Sequence, residues 1–228
     1  MLNIETHRTI LIQILKDIYT DTSLSSALGF KGGTVLYLFY NLSRFSVDLD
    51  FDLLDESKED FVYEKIAQII ERFGIVKEKY KKRYTLFYIL SYENKAQNVK
   101  VEISRRSFSS KYEIKNYFGI SMQVMVKEDM FAHKLVALLE RKRTANRDIF
   151  DVWFMLKNRW EINEKIVEKR TGLKLKKYVE KCIDLISKLS EKNILQGIGE
   201  LIDEKSKAWV KKNLKNEVLF LLKLKASN

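Results

Sequence analysis

The stretch KGGTVLYLFYNLSRFSVDLDF, residues 31–51, decides how this chain folds. Its paired glycines, Gly32 and Gly33, break the chain around Leu28–Gly33. The run that follows, Thr34–Leu42, is almost wholly apolar, so the spacing predicts a short buried helix with Tyr37, Phe39 and Tyr40 in core packing. Val47–Leu53 then alternates as VDLDFDL, a strand pattern that places Asp48, Asp50 and Asp52 on one face. Glycines at the mouth of a helix let backbone N–H groups approach an anion, and the helix N-terminus adds partial positive charge. Thr34 could add a hydroxyl contact. Carboxylates at i and i+2 on a strand, here Asp48 and Asp50, can share hard divalent cations, and two-metal sites hold ions about 3.5–4 Å apart. Glu102, in VKVEI at residues 99–103, is the candidate third carboxylate on a neighbouring strand, with Lys100 on its face. Taken singly, a glycine pair is most often a tight turn and an Asp-x-Asp a solvated strand edge. It is the combination, in this order, that points to chemistry.

Outward from this stretch, residues 3–20 read as an amphipathic helix, with apolar side chains at Ile10, Leu11, Ile14, Leu15 and Ile18. Lys58–Phe73 is helical, with Phe61, Ile66, Ile69 and Ile70 toward a core. Strand-like stretches follow at Gly74–Tyr80, Arg83–Tyr92, Asn98–Ser104 and Ser121–Val126. From Lys127 the pattern is helical: Glu128–Arg141, Asn146–Lys157, Glu161–Lys169, Leu173–Leu189, Ile194–Glu200 and Ser206–Lys225, with the tail KLKASN fraying. The expected fold is therefore α+β: a mixed sheet with flanking helices in a lobe of residues 1–125, then an all-α lobe of residues 126–228.

Composition excludes several classes. The 228 residues contain no proline, where average usage of about 5% would give roughly 11, so collagen-like and Pro-rich linker readings fail. A single cysteine, Cys182, makes neither an intramolecular disulfide nor a cysteine zinc site, and two histidines, His7 and His133, do not furnish a His-rich metal centre. The N-terminus lacks the solid apolar core of a signal peptide, and no stretch of 18 uncharged apolar residues exists. No membrane partner and a reducing, cytoplasmic setting are expected. The net charge of +11 is uneven: residues 1–125 hold 18 basic and 16 acidic side chains, residues 126–228 hold 24 and 15. The excess suits a polyanionic partner such as RNA, or it keeps lysine-rich helix faces solvated.

The motifs resemble those of the abortive-infection AbiE-type toxins (AbiEii/AbiGii), a branch of the minimal nucleotidyltransferase superfamily. That family shows Gly-Gly-Thr-x-Leu and then Arg-x-Ser-x-Asp-x-Asp, as here in Gly32, Gly33, Thr34, Leu36, Arg44, Ser46, Asp48 and Asp50. A second block, Lys-x-x-Ala-Leu-x-x-Arg and then Arg-Asp-x-x-Asp, matches Lys134, Ala137, Leu138, Arg141, Arg147, Asp148 and Asp151. The match covers about residues 25–155. Glu102 stands where the family as commonly has aspartate, and beyond about 160 the helices carry no matching motif.

The resemblance implies a nucleotidyltransferase-like sheet and a toxin of a toxin–antitoxin or phage-defence system. It would transfer a nucleotide from a nucleoside triphosphate to RNA, with the tRNA 3′ end as acceptor, using Mg2+ or Mn2+, and a cognate antitoxin would be its protein partner. Asp48, Asp50 and Glu102 are then the metal ligands, and these three with Lys134 and Asp148 the catalytic set. Gly32, Gly33, Thr34, Lys134 and Arg141 would bind the nucleotide, and Arg44, Ser46, Arg147 and Asp151 support it. The basic helical lobe, residues 126–228, would complete the site and contact the acceptor. Lys134 and Arg141, at i and i+7, share a helix face, Asn146 is placed to cap the next helix, and His133 points off that face. Asp148 and Asp151 have an ordinary reading too, as structural partners of Arg141 or Arg147. Nucleotidylation of a protein, or a non-catalytic RNA- or partner-binding module, are the other functions open to this sequence.

Overall fold

The computed structural model describes residues 2–94, 96–141 and 145–227. They form two compact units. One comprises Met1–Asn41, Phe45–Ser107 and Lys111–Met125, the other Leu42–Arg44, Phe108–Ser110 and Val126–Asn228.

The first unit runs α1 (Ile4–Thr20), α2 (Thr22–Ser25), β1 (Leu28–Lys31), α3 (Gly33–Tyr40), β2 (Asp48–Leu53), α4 (Glu59–Ile70), β3 (Ile75–Lys82), β4 (Thr85–Ser91), β5 (Val99–Ser104), β6 (Tyr112–Tyr117) and β7 (Ile120–Met125). The strands make one seven-stranded mixed sheet in the order β3-β4-β5-β2-β1-β7-β6. The pairs β1–β7 and β2–β5 are parallel, and the other four are antiparallel. Alternation sorts the side chains by face. Leu49, Phe51 and Leu53 of β2, Val99, Val101 and Ile103 of β5, and Leu86, Tyr88 and Leu90 of β4 are buried. The apolar stripes of α1 (Leu11, Ile14, Leu15, Ile18) and α4 (Val62, Ile66, Ile69, Ile70) complete this core. Two bonds lock it: the Tyr88 hydroxyl donates to the Tyr63 carbonyl at 2.9 Å, and the Tyr19 hydroxyl donates to the Leu28 carbonyl at 3.1 Å. The other face of the same strands carries the aspartates.

The second unit contains α5 (Lys127–Glu140), α6 (Asn146–Lys157), α7 (Glu164–Thr171), α8 (Leu175–Ser187) and α9 (Glu204–Ser227). Helix α9 buries Val210, Leu214, Val218 and Leu222, one residue per turn, and packs on α6 and α8. Trp153 and Trp209 meet at a 4.4 Å centroid distance in the α6–α9 contact. Cys182 is buried in this core, and its thiol is pushed up to about 12 by burial. Among the described residues no helix is long and apolar enough to cross a membrane.

The fold class holds, and the misses have physical reasons. Leu28–Lys31 is a strand near the middle of the sheet, but LGFK is four residues long with a glycine inside, so only its pairing to β2 and β7 makes it one. Tyr112–Tyr117 is an edge strand with outward Ile114, an exposure its alternation does not advertise. Phe61 is 44% exposed, and Val62 takes the core position expected for it. Helix α3 buries only its first four residues, so Tyr37, Phe39 and Tyr40 are half-buried, with Tyr37 edge-on to Phe45 and Phe39 to Tyr117. Residues 194–200 are turns and a short 3-10 segment, because Gly197 takes a left-handed φ of 72° that ends a helix. Lys223–Ser227 continue α9 where fraying was expected, and Asn228 lies outside the described residues.

Candidate active site

The turn between β1 and α3 is built around Gly32. Its φ of 85° is a conformation L side chains avoid, and a Cβ there would lie 2.5 Å from Asp50 Oδ2. The glycine is therefore what lets the Asp50 carboxylate pack against the head of α3. Thr34, fully buried, donates its hydroxyl to the Asp48 carbonyl at 2.5 Å, tying that helix to β2 at the first aspartate. His7 holds the preceding residue: its Nε2 hydrogen-bonds the Val47 carbonyl at 3.0 Å and its Nδ1 the Tyr92 hydroxyl at 3.0 Å. Burial lowers the His7 imidazole from its usual value, against the raising influence of the Val47 carbonyl and Asp48.

Asp48 and Asp50 stand two apart on β2, and the parallel register sets Asp48 opposite Lys100 and Asp50 opposite Glu102 on β5. The sequence expectation of three carboxylates on one face is met in the strand register. A cation of the chain's own sits among them. Lys100 Nζ is 3.3 Å from Asp48 Oδ2 and 3.1 Å from Glu102 Oε2. Burial alone would lower the Lys100 ammonium, yet Asp48, Asp50 and Glu102 together raise it above its usual value, so it stays charged. Lys100 was legible only as the face-mate of Glu102; that its ammonium bridges two strands needed the register. The third aspartate of the strand, Asp52, has a different environment. Lys31 Nζ lies 2.5 Å from its Oδ1, and the Tyr112 hydroxyl donates to its Oδ2 at 2.5 Å. The Tyr112 ring also covers Gly29, where a Cβ would meet it at 2.1 Å. Asp52 is thus satisfied within the sheet.

The donors on the β2–β5 face are all carboxylate oxygens, the chemistry a hard divalent cation prefers. Among the described residues, no three His, Cys, Asp or Glu side chains converge as a ready metal cage. The ammonium of Lys100 is the cation that this face pairs with Asp48 and Glu102.

The second motif block lies in the other unit. The Asp151 carboxylate is fully buried and takes a two-pronged contact from Arg44, Nε to Oδ1 and Nη2 to Oδ2, both at 2.6 Å. Lys134 Nζ lies 2.7 Å from Asp151 Oδ2 and 3.0 Å from Asp148 Oδ1. Arg141 Nε is 2.6 Å from Asp148 Oδ2. Lys134 and Arg141 do converge, although Arg141 caps α5 from just beyond its end, and their meeting point is the Asp148 carboxylate. Burial would push the Asp151 carboxyl up; Arg44 and then Lys134 overcome it and hold it below the usual range. Lys134 is raised, its burial outweighed by Asp151 and Asp148, with Arg44 opposing. Arg147 occupies the first turn of α6, and Ser46 is buried. The expected Asn146 cap is not formed: Ala145 is the cap residue, and Asn146 instead donates its amide to the carbonyls of Asn193 and Gln196 at 2.8 and 3.2 Å. His133 bonds Ser110 at 2.8 Å and Arg170 at 2.6 Å, a structural placement.

A glycine turn opening a helix, and two aspartates on the adjoining strand, are the architecture of a nucleotidyltransferase, and solved structures share the fold. A protein from H. pylori described as a candidate nucleotidyltransferase superposes with a TM-score of 0.64 at 22% identity, covering 98% of this chain and 94% of that one. JHP933 from Helicobacter pylori superposes with a TM-score of 0.56, also at 22% identity, over 98% and 95%. The family model "Nucleotidyl transferase AbiEii toxin, Type IV TA system" matches residues 13–216, and the chain belongs to that family. It is accordingly a nucleotidyltransferase of the toxin–antitoxin class, with a nucleoside triphosphate as substrate. No curated protein sequence matches significantly.

Proposed function

We propose that this nucleotidyltransferase moves a nucleoside monophosphate from a nucleoside triphosphate to the 3′-hydroxyl of an RNA, the tRNA 3′ end being the acceptor, and that it requires Mg2+ or Mn2+. The observation that carries this reading is the grouping of three carboxylates, Asp48, Asp50 and Glu102, on one face of β2 and β5 beside the Gly32 turn. Asp48 and Asp50 would hold the divalent ion, with Glu102 as third ligand. Such an ion, when bound, supplies charge neutralisation at the phosphoryl oxygens and the departing pyrophosphate.

The chain's own groups do the rest. Glu102 accepts the proton of the acceptor hydroxyl as its oxygen bonds to the α-phosphorus, and the bond from that phosphorus to pyrophosphate breaks. The backbone N–H groups at Gly32 and Gly33, at the head of α3, bind the triphosphate. In the helical unit, Lys134 and Arg141 are the cations suited to phosphate charge, and Asp148, ion-paired to both, positions them. Asp151, itself gripped by Arg44, holds Lys134 from its other side. The experiment is label transfer from each α-labelled nucleotide, with Mg2+, to total tRNA. Label should enter tRNA with the wild-type protein and fail to enter it with Asp48→Ala. Transfer that survives Asp48→Ala refutes the mechanism, and label appearing on protein bands alone moves the acceptor from RNA to protein.

A further inference from the structure

Across the sheet, the row that holds Glu102 and Asp50 continues into two aromatic rings. Tyr80 of β3 is the register partner of Phe87 of β4, Phe87 of Glu102 on β5, and Glu102 of Asp50 on β2. Register partners share a face. At the usual strand spacing, Phe87 lies about 10 Å and Tyr80 about 14 Å from Asp50. The two rings pack at a centroid distance of 4.9 Å, and Lys82 Nζ sits 3.5 Å from the Phe87 centroid and 5.1 Å from that of Tyr80. One turn further, Tyr84 is flanked by the guanidinium groups of Arg83 and Arg106 at 4.9 and 5.6 Å. Tyr80 is 40% exposed and Tyr84 46%.

The cations of this hairpin divide by face. Lys79 and Lys81, which point to the helix side, are bound by acids: Lys79 to Glu64, Lys81 to Asp60 and Glu59. Lys82 and Arg83 lie against rings, with no carboxylate in ion-pair range among the described residues. Exposed rings accompanied by Lys82 and Arg83 match one ligand chemistry, a single strand of nucleic acid, whose bases stack and whose phosphates need positive charge.

We propose that Tyr80, Tyr84, Lys82 and Arg83 form a platform for the single-stranded end of the RNA acceptor, leading it along the Tyr80–Phe87–Glu102–Asp50 row to the carboxylates. The proposal rests on the RNA-acceptor reading above, and it places acceptor binding on the sheet unit rather than on the basic helices.

The test is binding of a short labelled single-stranded RNA, followed by fluorescence anisotropy without nucleotide or divalent ion. Tyr80→Ala and Tyr84→Ala should each weaken binding about 5- to 150-fold, the range of one lost base–aromatic stack. Tyr80→Phe and Tyr84→Phe keep the ring and should bind as wild type, which separates stacking from misfolding. The double variant Lys82→Ala with Arg83→Ala should lower the salt slope by about 1.4, and Lys79→Ala with Lys81→Ala should change it little. Tyrosine-to-alanine variants that bind RNA as wild type overturn the platform. So does a loss confined to nucleoside triphosphate binding, which would assign the rings to the incoming base. If RNA binding depends on the tyrosines but wild-type protein transfers no label to any RNA, the acceptor reading fails and the platform stands. If label does enter RNA and the tyrosine-to-alanine variants bind and react normally, the platform fails and the reading stands.

Discussion

The chain builds two clusters from the same residue types, and they differ in how far their carboxylates are buried. On the β2–β5 face, Asp48 and Glu102 pair with the ammonium of Lys100, Asp50 stands beside them in register, and all three carboxylates are partly exposed. In the helical unit, Asp148 and Asp151 are buried and meet three cations, Arg44, Lys134 and Arg141. Carboxylates that reach solvent can take a cation from outside. A buried cluster whose carboxylates are all ion-paired is a structural joint first, because removing either sign strands the other away from water. An Asp-x-Asp and an Asp-x-x-Asp with nearby basic residues are therefore not equivalent signals; burial distinguishes them.

The largest way to break this comparison is through activity. Asp50→Asn should lower nucleotidyl transfer about a thousandfold, a loss of roughly 4 kcal/mol in transition-state stabilisation, while leaving thermal stability near wild type. A matching drop in melting temperature would make the strand cluster structural as well. Next comes stability of the helical unit. Asp151→Asn leaves Arg44 and Lys134 buried without their carboxylate and should cost about 3–5 kcal/mol. Trp153, Trp160 and Trp209 are the chain's three tryptophans and all lie in that unit, so their fluorescence reports its unfolding directly. A chemical-denaturation midpoint that does not move would show the cluster to be less essential than its geometry says.

A smaller effect is expected at the turn. Gly32→Ala forces a Cβ into both a left-handed φ and the Asp50 carboxylate, and should cost about 1–3 kcal/mol and displace the aspartate. Activity falling further than stability would confirm that the glycine serves Asp50. Lys100→Gln sharpens the contrast from the other side. Losing the ammonium removes its attraction for Asp48 and Glu102, so stability falls by about 1 kcal/mol at low salt and the thermal upshift on adding Mn2+ grows. An unchanged upshift would remove Lys100 from the electrostatics of the face.

The smallest effect is a flat one. Asp151 is held below its usual 3.8, so its contribution is complete above that value and disappears as pH falls further. Lys134 is raised above 10.5, so its contribution is complete below that value and is lost as pH climbs through the raised value. Between about pH 5 and 9 the cluster should contribute a constant stability. Tryptophan-monitored unfolding of wild type and Asp151→Asn should therefore differ by the same amount across that window, and a difference that varies within it contradicts the assignment.

What was legible in the sequence was whatever depends on nearest neighbours along the chain. The period of β2 put Asp48, Asp50 and Asp52 on one face, the glycine pair marked the turn, and two motif blocks matched a family. The amphipathic stripes of α1 and α4 followed from residue spacing alone, apart from the one-residue error at Phe61. Strand β1 was not legible, because four residues hold a strand only when both edges are paired. Nor could the sequence separate Asp52, satisfied by Lys31 and Tyr112, from its two neighbours of identical type and spacing.

The sequence by itself determined the fold class, the family and which side chains share a strand face, since period and motif are properties of local covalent order. Only the tertiary structure decided that Lys100 stands between Asp48 and Glu102, that Arg44 reaches across 107 positions to grip Asp151, and that Tyr80 and Phe87 fall in line with the carboxylates. Those facts depend on strand register and long-range packing, where one residue of slip would turn every side chain of a strand to the opposite face.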